Sequence, residues 1–256
     1  MTALFAGTYN SRDTGGTPLR GGGQTRAGVL FRSDALVTIT DAGLNELDAG
    51  PIGAIVDFRT DTERAAAPNR LPAREFDTEN LSVLEGAAPG IAAPGEMSVA
   101  EVHAALREIP TLGDLYIRML QHAAASFARV ARLVASPDDR EKTGVLVHCT
   151  AGKDRTGVAT ALLLDVVGAE RDAVIADYTA SEHNLSGEWS DRMLAGITEM
   201  GVPMLPQIVA LVTATPPDAM QAALGWLDDQ GGSAAYLLGG GLTDEELGML
   251  RRRLVG

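Results

Sequence analysis

His148 and Cys149 stand side by side, five residues separate that cysteine from Arg155, and Thr156 follows at once. Cys149 is also the single cysteine of the chain. Upstream, Gly144-Val145-Leu146-Val147 is a short β-branched run, and downstream Gly157-Val158-Ala159-Thr160-Ala161-Leu162 is apolar and helix-like. The pattern predicts a strand, a tight loop and a helix, with a thiol opening the loop and a guanidinium closing it. Such a loop suits a phosphate dianion. The first turn of a helix carries N–H groups without intrahelical partners, at the favourable end of the dipole. Thr150, Ala151, Gly152, Lys153, Asp154 and Arg155 would line the concave nest. Gly152 lets the chain bend inward, and Arg155 offers a planar fork for two oxygens at once. The same positive field favours the thiolate of Cys149, which would attack phosphorus in line and form a cysteinyl-phosphate that water hydrolyses. Thr156 can donate to the departing sulfur, and His148 can hold the loop.

Other readings of these residues have to be weighed. Free cysteine is among the most buried residue types, so Cys149 alone would suggest packing. Here His, Gly, Arg and Thr all fall where the chemistry needs them. A nucleotide-binding G-x-x-x-x-G-K-[ST] loop is excluded, because Asp154 follows Gly152-Lys153 and Val147 occupies the earlier glycine position. A sulfurtransferase also cradles a thiolate but has no need for the Arg155-Thr156 pair. A catalytically silent phosphate-binding module would normally lack the thiol or the arginine, and both are present.

The chain has 256 residues, 45% of them hydrophobic, enough for one large domain or a domain with an appendage. No run of eighteen apolar residues is present, so no membrane span is expected. The N-terminal residues show no standard signal peptide, and one cysteine rules out an internal disulfide framework. A cytoplasmic location, or export without a signal peptide, is the expectation. The net charge of −13 argues against nucleic acid or a broad anionic membrane surface as the main partner. It leaves a phosphate substrate open, because the local field decides that. His103, His122 and His183 show no metal-ligand spacing, so neither metal nor cofactor is expected.

The elements around the loop follow from periodicity. Gly28–Ser33, Ala54–Arg59, Glu79–Leu84 and the Val145 run read as strands. Thr40-Asp41 caps a helix that ends near Gly50. Ser98–Ile109 and Leu112–Ala135 read as helices, separated from the third strand by a Pro/Gly-rich loop from Gly86 to Gly95. The Arg20-Gly21-Gly22-Gly23 stretch reads as a mobile connection, and Trp189 and Trp226 as packing residues. Beyond the loop the chain is helical to its end. Strands alternating with helices predict an α/β fold with a mainly parallel central sheet, whose C-terminal edge carries the Cys149 loop.

Together, Arg12-Asp13-x-Gly15-Gly16, Leu30-Phe31-Arg32-Ser33, Asp57-Phe58-Arg59 with Glu63-Arg64, the loop from His148 to Gly157 and Ala176-Asp177-Tyr178 are similar to the PtpB-type bacterial protein tyrosine phosphatases. The resemblance covers nearly the whole chain, although only the loop is highly specific. It implies the phosphotyrosine-phosphatase-like fold as one domain and action on phosphotyrosine, with phosphoserine/threonine or phosphoinositides as further substrates. The Lys153-Asp154 pair is similar to lipid phosphatase loops, and its extra ammonium would favour substrates with more than one phosphate. No W-P-D triplet supplies a general acid. The position to which the resemblance points is Glu85, with Asp154 as the rival and Asp57 third. Arg12, Arg32, Arg59 and Arg64 either ring the mouth or pair with nearby carboxylates such as Asp13, Asp34 and Asp57. From Gly187 to Gln230 the chain is either a C-terminal core or a mobile helical lid over Cys149. Pro203, Pro206, Pro216 and Pro217 would then be its hinges.

Overall fold

Val145, Leu146 and Val147 are fully buried, and their side chains enter two different apolar layers. Val145 and Val147 join a large cluster with helical residues such as Phe127, Leu162 and Leu224, whereas Leu146 meets Phe31, Ile52, Ile55 and Leu47. Burial on both faces is what a parallel sheet requires, and it explains the continuous apolar runs. The computed structural model describes residues 3–84, 110–136 and 141–255. Its sheet is ordered β1-β2-β5-β3-β4, made of Arg12–Asp13, Leu30–Ser33, Gly144–His148, Ile52–Asp57 and Asp77–Asn80. β2, β5, β3 and β4 run parallel, and β1 pairs antiparallel with β2. The α/β architecture with a mainly parallel sheet is therefore present.

The register decides where chemistry can happen. Ser33, His148 and Asp57 stand in one row at the C-terminal ends of β2, β5 and β3. The flanking strands continue to hold the chain beyond that row: Phe58 donates its N–H to the His148 carbonyl at 2.9 Å, and Ala35 to that of Thr150 at 3.1 Å.

Helices cover both faces. On one side lies α1 (Asp41–Ala49), capped by Thr40, and after β3 comes the short α2 (Asp61–Ala66), closed by a capping box between Thr60 and Glu63. The expected helix from Leu112 to Ala135 is two, α3 (Leu112–His122) and α4 (Ala124–Ala135), broken at Ala123. α5 (Arg155–Val166) follows the loop and is buried over its full length, which makes it the axis of the larger core. Then come α6 (Arg171–Leu185), α7 (Glu188–Glu199), α8 (Pro206–Thr213), α9 (Pro217–Asp229), α10 (Gly232–Gly239) and α11 (Asp244–Leu254).

Three local expectations change. β4 spans Asp77–Asn80 rather than Glu79–Leu84, because it is a mostly exposed edge strand without an apolar face to announce it. The Arg12-Asp13 segment forms a strand that no apolar run predicted. The glycine stretch is a tied turn, not a mobile connection: Pro18 bridges Gln24, Leu19 bridges Ala169, and Gly22 and Gly23 take φ of 87° and 81°. The Gly86–Gly95 loop and the Ser98–Ile109 helix lie outside the described residues.

The segment expected to be core or lid divides. α9 buries Ala219, Met220, Ala223, Leu224 and Leu227, and so belongs to the core. α7 buries only Trp189 and Ser190, and α8 buries no residue. Thr215 pins the junction ahead of Pro216, with its N–H on Glu182 at 2.9 Å and its hydroxyl on Thr179 O at 3.1 Å. The connection between α7 and α8 exposes Met200 and Met204 instead. Limited digestion with proteinase K should therefore cut between Met200 and Leu205, not at Pro216-Pro217, and leave the rest folded. Mass spectrometry of the fragments checks this, and an intact connection at doses that degrade the core would refute it.

Candidate active site

The loop between β5 and α5 is held in place by how closely it passes the end of β2. Gly152 has φ 65°, and a Cβ there would lie 2.2 Å from the Ser33 carbonyl oxygen. No other residue fits without moving β2. Cys149 opens the loop with 2% exposure, and Arg155 closes it with 8%. Burial works against the Arg155 cation, but the hydrogen bonds and charge of Glu63 outweigh it and strengthen its hold on the proton.

Glu63 orients the guanidinium. Arg155 Nη1 and Nη2 donate to Glu63 Oε2 and Oε1, each at 2.7 Å. Nη1 also reaches Phe58 O at 3.2 Å, and Nη2 the Thr150 hydroxyl at 3.3 Å. These bonds use four of the five N–H groups, leaving Nε–H. An anion that took Nε–H and displaced the long Thr150 contact would gain the two-pronged grip typical of arginine. Thr150 in turn donates to Glu63 Oε1 at 2.6 Å. Burial would raise the Glu63 carboxyl, but Arg155 and Thr150 pull it down to about 2.

His148 is fully buried, and desolvation lowers its pKa despite nearby Asp57, which makes it neutral at pH 7. Its Nδ1 lies 3.2 Å from Cys149 O and its Nε2 3.1 Å from Asn69 Nδ2. A carbonyl can only accept, so the proton sits on Nδ1 and the imidazole fastens the first peptide of the loop. Asp57 is taken by Arg59, with Nη2 to Oδ2 at 2.7 Å and Nε to Oδ1 at 3.0 Å. Despite burial, that pair lowers its pKa. Both side chains are 2% exposed, so Arg59 is a structural partner.

Behind the loop, Arg12 and Arg32 converge on Asp177 of α6. Arg32 Nη2 also donates to Gly152 O at 2.7 Å. Asn10 Nδ2 reaches Ala151 O and Gly152 O at 3.1 and 3.0 Å. Arg64 binds Arg59 O and Asp61. Thus the four arginines support the loop or its neighbours and do not ring the mouth.

Lys153 is 1% exposed, and its ammonium donates to Asp154 Oδ1 at 2.9 Å, Leu211 O at 3.0 Å and Ala214 O at 3.1 Å. It therefore ties the loop to the C-terminal end of α8, neither facing solvent nor pointing at an anion. Asp154 Oδ1 also accepts from the Tyr116 hydroxyl at 2.5 Å, which contacts Tyr178 at 2.8 Å. Thr156 Oγ1 is buried without a hydrogen-bond partner among the described residues. Ala151, Leu185 and Trp189 form one small apolar cluster, with Tyr9, Met193 and Val212 packed against it, so residues of α7 and α8 gather beside the loop. Glu85 lies outside the described residues. Asn10, Asn69 and Tyr116 escaped sequence reasoning.

Cys149 opens and Arg155 closes a short loop at the N-terminus of a buried helix, on the C-terminal edge of a parallel sheet, an arrangement suited to holding phosphate. Residues 3–256 match the tyrosine phosphatase family, and the chain belongs to it. It is 30% identical to a tyrosine-protein phosphatase of Nostoc commune, over 89% of this chain and 74% of that protein. It is also 29% identical to the triple specificity protein phosphatase PtpB of Mycobacterium tuberculosis, over 98% of both. The protein is thus a phosphatase, with a phosphotyrosine-phosphatase-like fold. Among the described residues no helix is long and apolar enough to cross a membrane.

The Glu63–Arg155 pair gives the site a pH signature. A carboxyl lowered from 4.5 to about 2 contributes stability that is complete above pH 4.5 and is lost as the pH falls towards 2. The melting-temperature gap between wild type and Glu63→Gln should therefore narrow steadily below pH 4.5. A gap that stays constant to pH 3 would mean that the carboxylate does not hold the guanidinium.

Proposed function

We propose that Cys149 is the nucleophile of a two-step phosphomonoester hydrolysis, with Arg155 and the amides of Thr150 to Arg155 binding the transferred phosphoryl group. The observation that carries this reading is the bidentate seat of Arg155 on Glu63 beside a buried cysteine. The guanidinium is oriented before any substrate arrives, so no reorganisation is left for the transition state. In the first step the thiolate forms a bond to phosphorus as the ester oxygen leaves and takes a proton. In the second, water attacks phosphorus and the sulfur departs, with Thr156 donating to it.

Asp154 is one candidate for the general acid in this reading. Glu63 and Asp57 are held ionised by arginines, so neither has a proton to give. Asp154 stands in the loop, with Oδ1 accepting from the Tyr116 hydroxyl and the Lys153 ammonium. Glu85 is the alternative. The substrates are phosphotyrosine proteins, with phosphoserine/threonine or phosphoinositides as further classes, which the name of the Mycobacterium tuberculosis relative supports. α7 and α8 act as a cover that Lys153 fastens to the loop. A second phosphate would have to draw this ammonium away from the Leu211 and Ala214 carbonyls, which links substrate choice to release of the cover.

Cys149→Ser should abolish turnover of phosphotyrosine peptides, by about 10⁴-fold or more, while phosphate binding persists. EDTA should leave the wild type unaffected. Turnover that survives the substitution would overturn the mechanism, and turnover of thiosulfate rather than phosphoester would favour a sulfurtransferase. Asp154→Asn should slow phenyl phosphate, a poor leaving group, far more than p-nitrophenyl phosphate. If Glu85→Gln shows that contrast and Asp154→Asn does not, the acid is Glu85. Lys153→Ala should lower kcat/KM for phosphoinositides more than for phosphopeptides, and equal losses would argue against a second-phosphate role.

A further inference from the structure

We infer that Asn10 is a positioning residue for catalysis, setting the direction of the loop amides by holding the carbonyls on their reverse side. This rests on the phosphate-cup reading above.

In a trans peptide the C=O and N–H point in opposite directions within one plane. The carbonyl of Ala151 shares its plane with the N–H of Gly152, and the carbonyl of Gly152 with the N–H of Lys153. Turning those two carbonyls outward is therefore the same act as turning two N–H groups towards the anion. An outward carbonyl is buried here, and a buried acceptor without a donor is costly, so each needs a partner in the protein. The Asn10 amide supplies both, at 3.1 and 3.0 Å, and Arg32 adds a second donor to Gly152 O at 2.7 Å.

The Asn10 amide cannot flip. Its Oδ1 accepts from Arg12 Nη1 at 2.5 Å and from Asn184 Nδ2 at 3.1 Å, so Nδ2 must face the loop. Its backbone is held as well, with the N–H on Asp34 Oδ1 at 2.9 Å. Asn10 has no exposure, and Asp34 has 1%. Asp34 also accepts from Tyr9 N and Ser33 Oγ, and no cation is paired with it among the described residues. A buried carboxylate used this way has the geometry of a clamp on the Tyr9-Asn10 backbone. The order of support runs from Asp34 and Arg12 to Asn10, and from Asn10 to the peptides that face the substrate.

Asn10→Asp is the discriminating substitution. It keeps the volume and an acceptor for Arg12 and Asn184, but replaces the donor to both carbonyls by another acceptor. Asn10→Ala removes the donor without adding charge. Both should retain the wild-type circular dichroism. With p-nitrophenyl phosphate, kcat/KM should fall about 100-fold, the loss typical of an oxyanion-site donor. The inhibition constant for orthovanadate should rise by roughly 30-fold, as expected when two N–H groups turn away from the anion. Alkylation of Cys149 by iodoacetamide at pH 7 should slow in parallel. Arg132→Ala, which removes a remote ion pair with Glu246, supplies a control for general destabilisation. It should keep the vanadate affinity even where its melting temperature falls as far. Asn10 variants that bind vanadate and turn over within about threefold of wild type would overturn the inference. So would failure of both variants to fold, since Asn10 would then serve the fold and not the cup. A wild type that does not bind vanadate would instead refute the cup itself.

Discussion

A loop that presents N–H groups to an anion has to bury its carbonyls against the protein, and the surrounding architecture meets that demand. Ala35 on the end of β2 binds Thr150 O, His148 binds Cys149 O, Asn10 binds Ala151 O, and Asn10 and Arg32 bind Gly152 O. The donors come from three separate parts of the chain, so the loop's shape depends on the correct assembly of β2, β5 and the residues before β1. Gly152 shows how tight this arrangement is, with no space for a Cβ beneath Ser33.

The same demand explains an electrostatic feature of the interior. A chain with net charge −13 buries Arg12, Arg32, Arg59, Lys153 and Arg155 around one loop. Isolated, each would be unaffordable. Asp177 serves Arg12 and Arg32, Asp57 serves Arg59, Asp154 serves Lys153, and Glu63 serves Arg155. Burial alone would raise the carboxyls of Asp177, Asp57 and Glu63, yet their arginines lower all three. The surface is acidic while the field at the site is set by these fixed pairs, and the bulk charge says little about the substrate.

The sheet and loop were legible because each rests on a local rule. Strands buried on both faces appear as apolar runs, and a cysteine loop entering a helix has fixed spacing. β1 was not legible, since two residues, Arg12 and Asp13, carry no period. Nor was Asn10, whose partners lie 141 and 142 residues away and which has no signature of its own. Glu63 was visible within a motif but not as the seat of Arg155, 92 residues further on. Arg12 and Arg32 show the same limit. Their types suggested either substrate or support, and only the position of Asp177 on α6 decides for support. Pairings that depend on the closed fold leave no trace in local pattern.

Lys153 shows why the cover and the loop should be considered together. All three donors of its ammonium are engaged, two of them by carbonyls at the last turn of α8, where a cation is favoured by the helix dipole. α8 buries no residue and α7 only two, and these two bonds act beside the small apolar cluster that joins Trp189 with Ala151 and Leu185. A fastening made by a residue of the loop itself has a particular consequence. Any anion strong enough to attract Lys153 weakens the hold on α8 at the same time. If α7 and α8 act as the proposed cover, its opening follows the charge of what approaches Lys153, and the single, buried cysteine of the chain stays shielded until such a ligand arrives.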